Sequence, residues 1–134
     1  MLKQHPWWLF WLPSRFWITL SPNIYYPKGE NPNYYPAIIA HESVHLKQQS
    51  SGNLLKWYLK YVFSRKFRLQ MEAEAYAVEV KYQLEAFPWD PAFSDRVLVC
   101  AARSLAKWSY MWAAKSQEAA EAAIRAELAK LLAK

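Results

Sequence analysis

The apolar positions of this chain follow two periods, and its prolines mark where one gives way to the other. Six of the eight prolines lie within the first 36 residues, and none lies between Ala37 and Phe87. Proline removes a backbone donor and breaks helices, so the division predicts a non-helical entry and a helical body. In the entry, Phe16-Trp17-Ile18-Thr19-Leu20 and Ile24-Tyr25-Tyr26 are aromatic and β-branched runs separated by Ser21-Pro22-Asn23. They read as a short β-hairpin closed by Pro27-Lys28-Gly29, and the proline makes the second run an edge strand.

The body reads as four to five helices. Pro36 sits in the first turn of one that runs to about Ser50, where Ser51-Gly52-Asn53 ends it. A second, from Leu54 to about Ser64, carries apolar residues at 54, 55, 58, 59, 61 and 62. A third runs from about Arg65 to Phe87, before Pro88. Asp90-Pro91 caps a fourth that extends to about Ala114. Ser116 caps a fifth, in which Glu121 and Arg125 pair at i,i+4. The fold class expected is mainly α (α+β).

Composition narrows the class. At 134 residues the chain is expected to form a single domain over 1–134, with the strand element and site helices in 18–87 and C-terminal helices in 90–134. Only two glycines and 17% aromatic residues exclude fibrous and disordered classes. One cysteine excludes a disulfide scaffold, and Val97-Leu98-Val99-Cys100-Ala101-Ala102 reads as a buried, inert thiol. The longest apolar run, Trp7 to Leu12, is far short of the about 20 residues a membrane-spanning helix needs. No small-residue cleavage site follows it, so a cytoplasmic location is expected. The Trp-rich entry is read as folding over the chain's own core rather than lying at a bilayer.

The candidate chemistry lies in His41-Glu42-Ser43-Val44-His45. Residues four apart share a helix face, so both imidazoles can reach one ion, with Glu42 beside them where a base can hold a metal-bound water. A catalytic zinc takes three protein ligands and keeps one position open. His5 stands at a start expected to be mobile, and Cys100 would be an unusual third ligand. A carboxylate from Glu72-Ala73-Glu74 is the better source, because the alanines let two helices approach. Glu72 and Glu74 lie about 200° apart, so only one faces the ion. For Glu74 a solvated face is the stronger reading. Glu79 shares the Glu72 and Tyr76 face and can support the ligands from behind.

These residues make the chain resemble the small gluzincin-type metallopeptidases, including minigluzincin and short phage-encoded forms. The resemblance spans roughly residues 18–87. It rests on the aromatic strand with Ile24-Tyr25-Tyr26-Pro27, on His41-Glu42-x-x-His45 with Leu46 and Gln48, and on Glu72-x-Glu74-Ala75-Tyr76. Larger membrane-protease relatives carry E-x-x-A-D on the second ligand helix. That pattern puts the third ligand at Glu72, with Tyr76 in place of the Asp. The resemblance implies a compact zincin-like domain holding one Zn²⁺ on His41, His45 and Glu72. It implies a zinc-dependent endopeptidase in which Glu42 is the general base for a zinc-activated water. A peptide or protein substrate would lie extended along the edge strand. Tyr76 and Tyr110 are candidates for stabilising the oxyanion.

Two other readings belong to different classes. The net charge of +6, with Lys56, Lys60, Arg65, Lys66 and Arg68 among aromatic residues, fits a nucleic-acid or membrane-surface binding module. No nucleic-acid motif is present, so a specific nucleic-acid partner is not expected, while peripheral membrane contact is compatible. The other reading is a zinc-binding protein without turnover.

Overall fold

The computed structural model describes residues 1–9 and 15–134, with the side chain of Trp108 excepted. The chain is mainly α with a small sheet. Strands β1 (Leu2–Gln4), β2 (Ile18–Leu20) and β3 (Asn23–Tyr26) precede α1 (Pro36–Ser50), α2 (Leu54–Phe63), α3 (Arg65–Ala86), α4 (Pro91–Leu105) and α5 (Gln117–Leu132). Short 3₁₀ turns cover Trp7–Leu9, Pro32–Tyr34 and Trp108–Tyr110. Four helices open on side-chain caps that accept from the first-turn amides: Asn53, Ser64, Asp90 and Ser116. Gly29, at φ +88°, takes the left-handed turn that closes β3. No described helix is long and apolar enough to cross a membrane.

The sheet order corrects the edge-strand expectation. β3 is central, with β2 antiparallel on one side and β1 parallel on the other. The proline at position 27 follows the last paired residue, Tyr26, so it removes no ladder donor. β1 extends into His5, whose amide donates to the Tyr26 carbonyl at 2.9 Å, so His5 is pinned and not mobile. β2 is the edge beside α1. There the Gln49 side chain donates to the Thr19 carbonyl and accepts from the Ser21 amide, filling hydrogen-bonding positions a further strand would use. A substrate strand along β3 is therefore ruled out.

Helix α3 carries two faces at helical spacing. Ala73 and Val80 enter the apolar core with Leu98, Ala101, Ala102, Leu105, Ala113, Ala114, Ala120 and Ile124, joining α3 to α4 and α5. Alanines dominate this core, which lets the helices approach closely, and each fully buried Leu or Ile contributes about 1.5–3 kcal/mol. Arg68, Glu72, Tyr76 and Glu79 form the other face, toward α1. Helix α1 answers with Ala37, His41, Glu42, His45 and Gln49. The α1–α3 seam is thus polar where the rest of the helical body is apolar.

Two expectations fail in the C-terminal half. Helix α4 ends at Leu105, not Ala114, and Met111 and Trp112 adopt left-handed backbone (φ 51° and 47°). The buried Arg68 guanidinium explains the turn. It donates to the carbonyls of Tyr110 and Met111 as well as those of Tyr61 and Val62, bonds a continuous helix would use itself. Cys100 is exposed, because its helical phase puts it opposite the buried Leu98, Ala101 and Ala102. At the entry, Leu9 is buried and Trp8 packs edge-on against Tyr25, whereas Trp7 is exposed. The rest of the Trp-rich run, residues 10–14, lies outside the described residues.

Cys100 is expected to react fully with a maleimide in the native protein, at a rate close to that after unfolding. Labelling that requires denaturant would return the thiol to the core.

Candidate metal centre

Spacing along two helices builds the site. His41 and His45, one turn apart on α1, face Glu72 on α3, and all three are buried. Their Nε2 atoms stand 3.2 Å apart. Glu72 lies opposite, with its Oε2 at 3.7 Å from His41 Nε2 and its Oε1 at 3.5 Å from His45 Nε2. Among the described residues this is the group of His, Cys, Asp and Glu side chains whose ligand atoms converge within 4.8 Å. Neither His5 nor Cys100 joins it.

The outer partners fix how the rings present themselves. His41 Nδ1 lies 3.0 Å from Glu79 Oε2, an acceptor, so Nδ1 carries a proton. His45 Nδ1 lies 2.9 Å from Gln48 Oε1, whose amide group donates to the Met71 carbonyl and to Glu74. In the neutral rings both Nε2 lone pairs therefore point at one place, which the Glu72 carboxylate also faces. Three lone-pair donors at this separation repel one another unless a cation sits among them. Glu72 Oε2 has no hydrogen-bond partner, which fits a ligand atom with a position left for a metal. The residues fit zinc: two imidazoles and a carboxylate, each imidazole held by an acceptor from behind.

The electrostatics say the same. Burial alone would lower the pKa of His41, but the Glu72 and Glu79 carboxylates beside the ring push it up to about 10. His45 is also raised, its burial outweighed by the Glu72 charge. Burial would raise Glu72, yet the charge of His45 and the close approach of both imidazoles hold it below the usual carboxylate range. Without a metal, the site draws a proton into the space between its ligands.

Glu42 sits beside the ligands rather than among them. Its Oε2 accepts from Thr19 Oγ1 at 2.7 Å, which ties the Glu42 carboxylate to β2. Tyr61, on α2, donates to Glu72 Oε1. Tyr76 lays its ring edge-on to His41 at 4.4 Å, and its hydroxyl meets that of Tyr110 at 2.6 Å. Burial raises the pKa of Tyr61, Tyr76 and Tyr110, so these hydroxyls remain protonated donors. Glu74 lies outside the His41–His45–Glu72 group, and it is not merely solvated, since it holds Gln48 and Gln70. A cleft of about 370 Å³ lined by Tyr76, Glu79, Phe93, Val97 and Cys100 reaches the outer side of Glu79.

Thr19 and Tyr61 escape motif reading. The signal for Thr19 is a polar residue amid an aromatic strand run, where burial demands a partner. Tyr61 shares the inward helical face with Trp57, on which it stacks at 5.0 Å, but nothing in that pattern names Glu72 as its acceptor.

The raised His41 pKa gives a signed pH dependence for metal-free protein. Its stabilising contribution is complete below the unfolded value of 6.5 and is lost as pH rises toward about 10. The melting temperature of chelator-treated protein should fall across that window, and fall less in Glu72→Gln. A flat profile would mean that the histidines do not share a cation.

No family model, curated protein or solved structure matches this chain. The likeness to gluzincin-type peptidases therefore rests on the chain's own residues.

Proposed function

We propose that the chain is a zinc-dependent peptide hydrolase, with His41, His45 and Glu72 holding the metal and Glu42 as general base. The observation that carries this reading is the pair of Nε2 atoms 3.2 Å apart facing the Glu72 carboxylate, with both Nδ1 atoms already committed to acceptors. Zinc bound there would act as a Lewis acid and lower the pKa of a coordinated water to about 7. The chain's residues supply the rest. Thr19 anchors one oxygen of Glu42, and the other accepts the proton of the attacking water and returns it to the leaving amine. Glu79 and Gln48 hold the imidazoles in the tautomer that presents Nε2. One proton of the Tyr76–Tyr110 pair lies between the two hydroxyls, and the other is available to a developing oxyanion.

A second reading has an observation of its own. His41, Glu42, His45 and Glu72 are all buried, Glu72 to 2% exposure. A metal that only clips α1 to α3 would want that burial, whereas a peptide must reach a catalytic one.

Glu72→Ala should weaken zinc binding at least tenfold and by more than Glu74→Ala, because Glu74 acts on His45 only through Gln48. Competition against a chromophoric chelator measures both, and the reverse order would move the ligand to Glu74.

Glu42→Gln separates the two readings. It keeps the size of the side chain but cannot take a proton. Zinc content should stay the same while cleavage of an unstructured, apolar-rich peptide falls by the upper part of about 10²–10⁴-fold. Equal cleavage by both proteins would remove Glu42 as the base. No cleavage by either, with zinc bound in both, would leave the clip.

A further inference from the structure

Helix α2 has no buried residue, although eight of its ten residues are Leu, Val or aromatic. Its inward side is accounted for. Trp57 stacks on Tyr61, Tyr58 donates to Gln49 Oε1, and Tyr61 donates to Glu72. The outward side is a stripe at i, i+4, i+7 and i+8: Leu55, Leu59, Val62 and Phe63, exposed to 68%, 50%, 49% and 81%. Lys56 and Lys60 border this stripe on one flank, and Arg65 and Lys66 follow it. Residues 43–71 contain six Lys or Arg and no Asp or Glu. Arg68 is consumed internally by backbone carbonyls, and the other five are exposed.

We propose that α2 is a membrane-surface element, its stripe of Leu55, Leu59, Val62 and Phe63 seated in the headgroup layer of an anionic bilayer while Lys56 and Lys60 engage lipid phosphates. A short helix with one apolar face, cationic borders and no acidic residue has the composition of an interfacial helix. Ten residues span about 15 Å, enough to lie in the interface and too few to cross it. Charge and ring placement decide against the other occupants. Nucleic acid would call for aromatic rings free to stack on bases, but Trp57, Tyr58 and Tyr61 are turned inward and the stripe is mostly aliphatic. A second copy would bring two cationic helix borders together. The seating is independent of the metal, yet it places the His41–His45–Glu72 site within one helix diameter of the bilayer, because Tyr61 spans from α2 to Glu72.

Sedimentation with phosphatidylcholine vesicles, with and without phosphatidylglycerol, tests this on the full chain. Binding to the phosphatidylglycerol vesicles alone is expected, and added salt should weaken it. The double variant Lys56→Gln/Lys60→Gln should bind about 25-fold more weakly, about fivefold for each lysine. Phe63→Ser should lose at least about tenfold. All three positions are exposed, so unchanged circular dichroism and melting should accompany the loss. Vesicle binding that the variants leave intact would overturn the assignment to α2. So would an absence of vesicle binding, whether the chain then binds single-stranded RNA, forms a dimer in solution, or does neither.

Discussion

Two imidazole lone pairs and a carboxylate aimed at one point cannot coexist without positive charge between them, and much of this structure is arranged around that requirement. The α1–α3 seam buries His41, His45 and Glu72, and Glu42 and Gln49 are buried beside it against β2, where a domain of this size would ordinarily bury leucines. Burying polar groups is unfavourable unless each is partnered. Most partners come from the protein: Thr19 for Glu42, Glu79 for His41, Gln48 for His45 and Tyr61 for Glu72. Glu72 Oε2 is the atom they leave over. A cation held there would complete the set.

The apolar half makes such a seam affordable. Helix α3 is the shared wall, with alanines toward α4 and α5 and a charged stripe toward α1. Because the core behind it is close-packed, Glu72 and Glu79 are fixed in height and direction before any ligand arrives. Arg68 extends the same logic at the far end. By taking the carbonyls of Tyr110 and Met111 it holds a turn whose left-handed residues cost of order 1–3 kcal/mol each, and that turn delivers Tyr110 to Tyr76. A buried cation beside the candidate metal ligands thus acts as a builder of backbone shape.

What the sequence made legible follows from which signals are local. Helix starts at Asn53, Ser64, Asp90 and Ser116 depend on a cap and the amides just after it, and the histidine pair on a single turn. Those are readable without a fold. The end of α4 is not, because its cause is a guanidinium about 40 positions earlier. The pairing of Leu2–Gln4 with Ile24–Tyr26 is also non-local, and three residues, two of them polar neighbours, carry no strand period of their own. Cys100 failed for a different reason. An apolar run was taken as buried all round, but one helix face must still meet solvent, and the wheel assigns Cys100 to it.

Helix α2 joins these threads. Its Tyr61 reaches into the site while Leu55, Leu59, Val62 and Phe63 face out, so one short helix has a fixed polar task inside and an unspent apolar face outside. Solvent-exposed apolar residues are individually ordinary, but four at helical spacing in a stretch of sequence without Asp or Glu are a patterned surface. A surface that served only solubility would mix charges of both signs there. The stripe and the contact with the candidate metal seam are therefore two faces of one short helix.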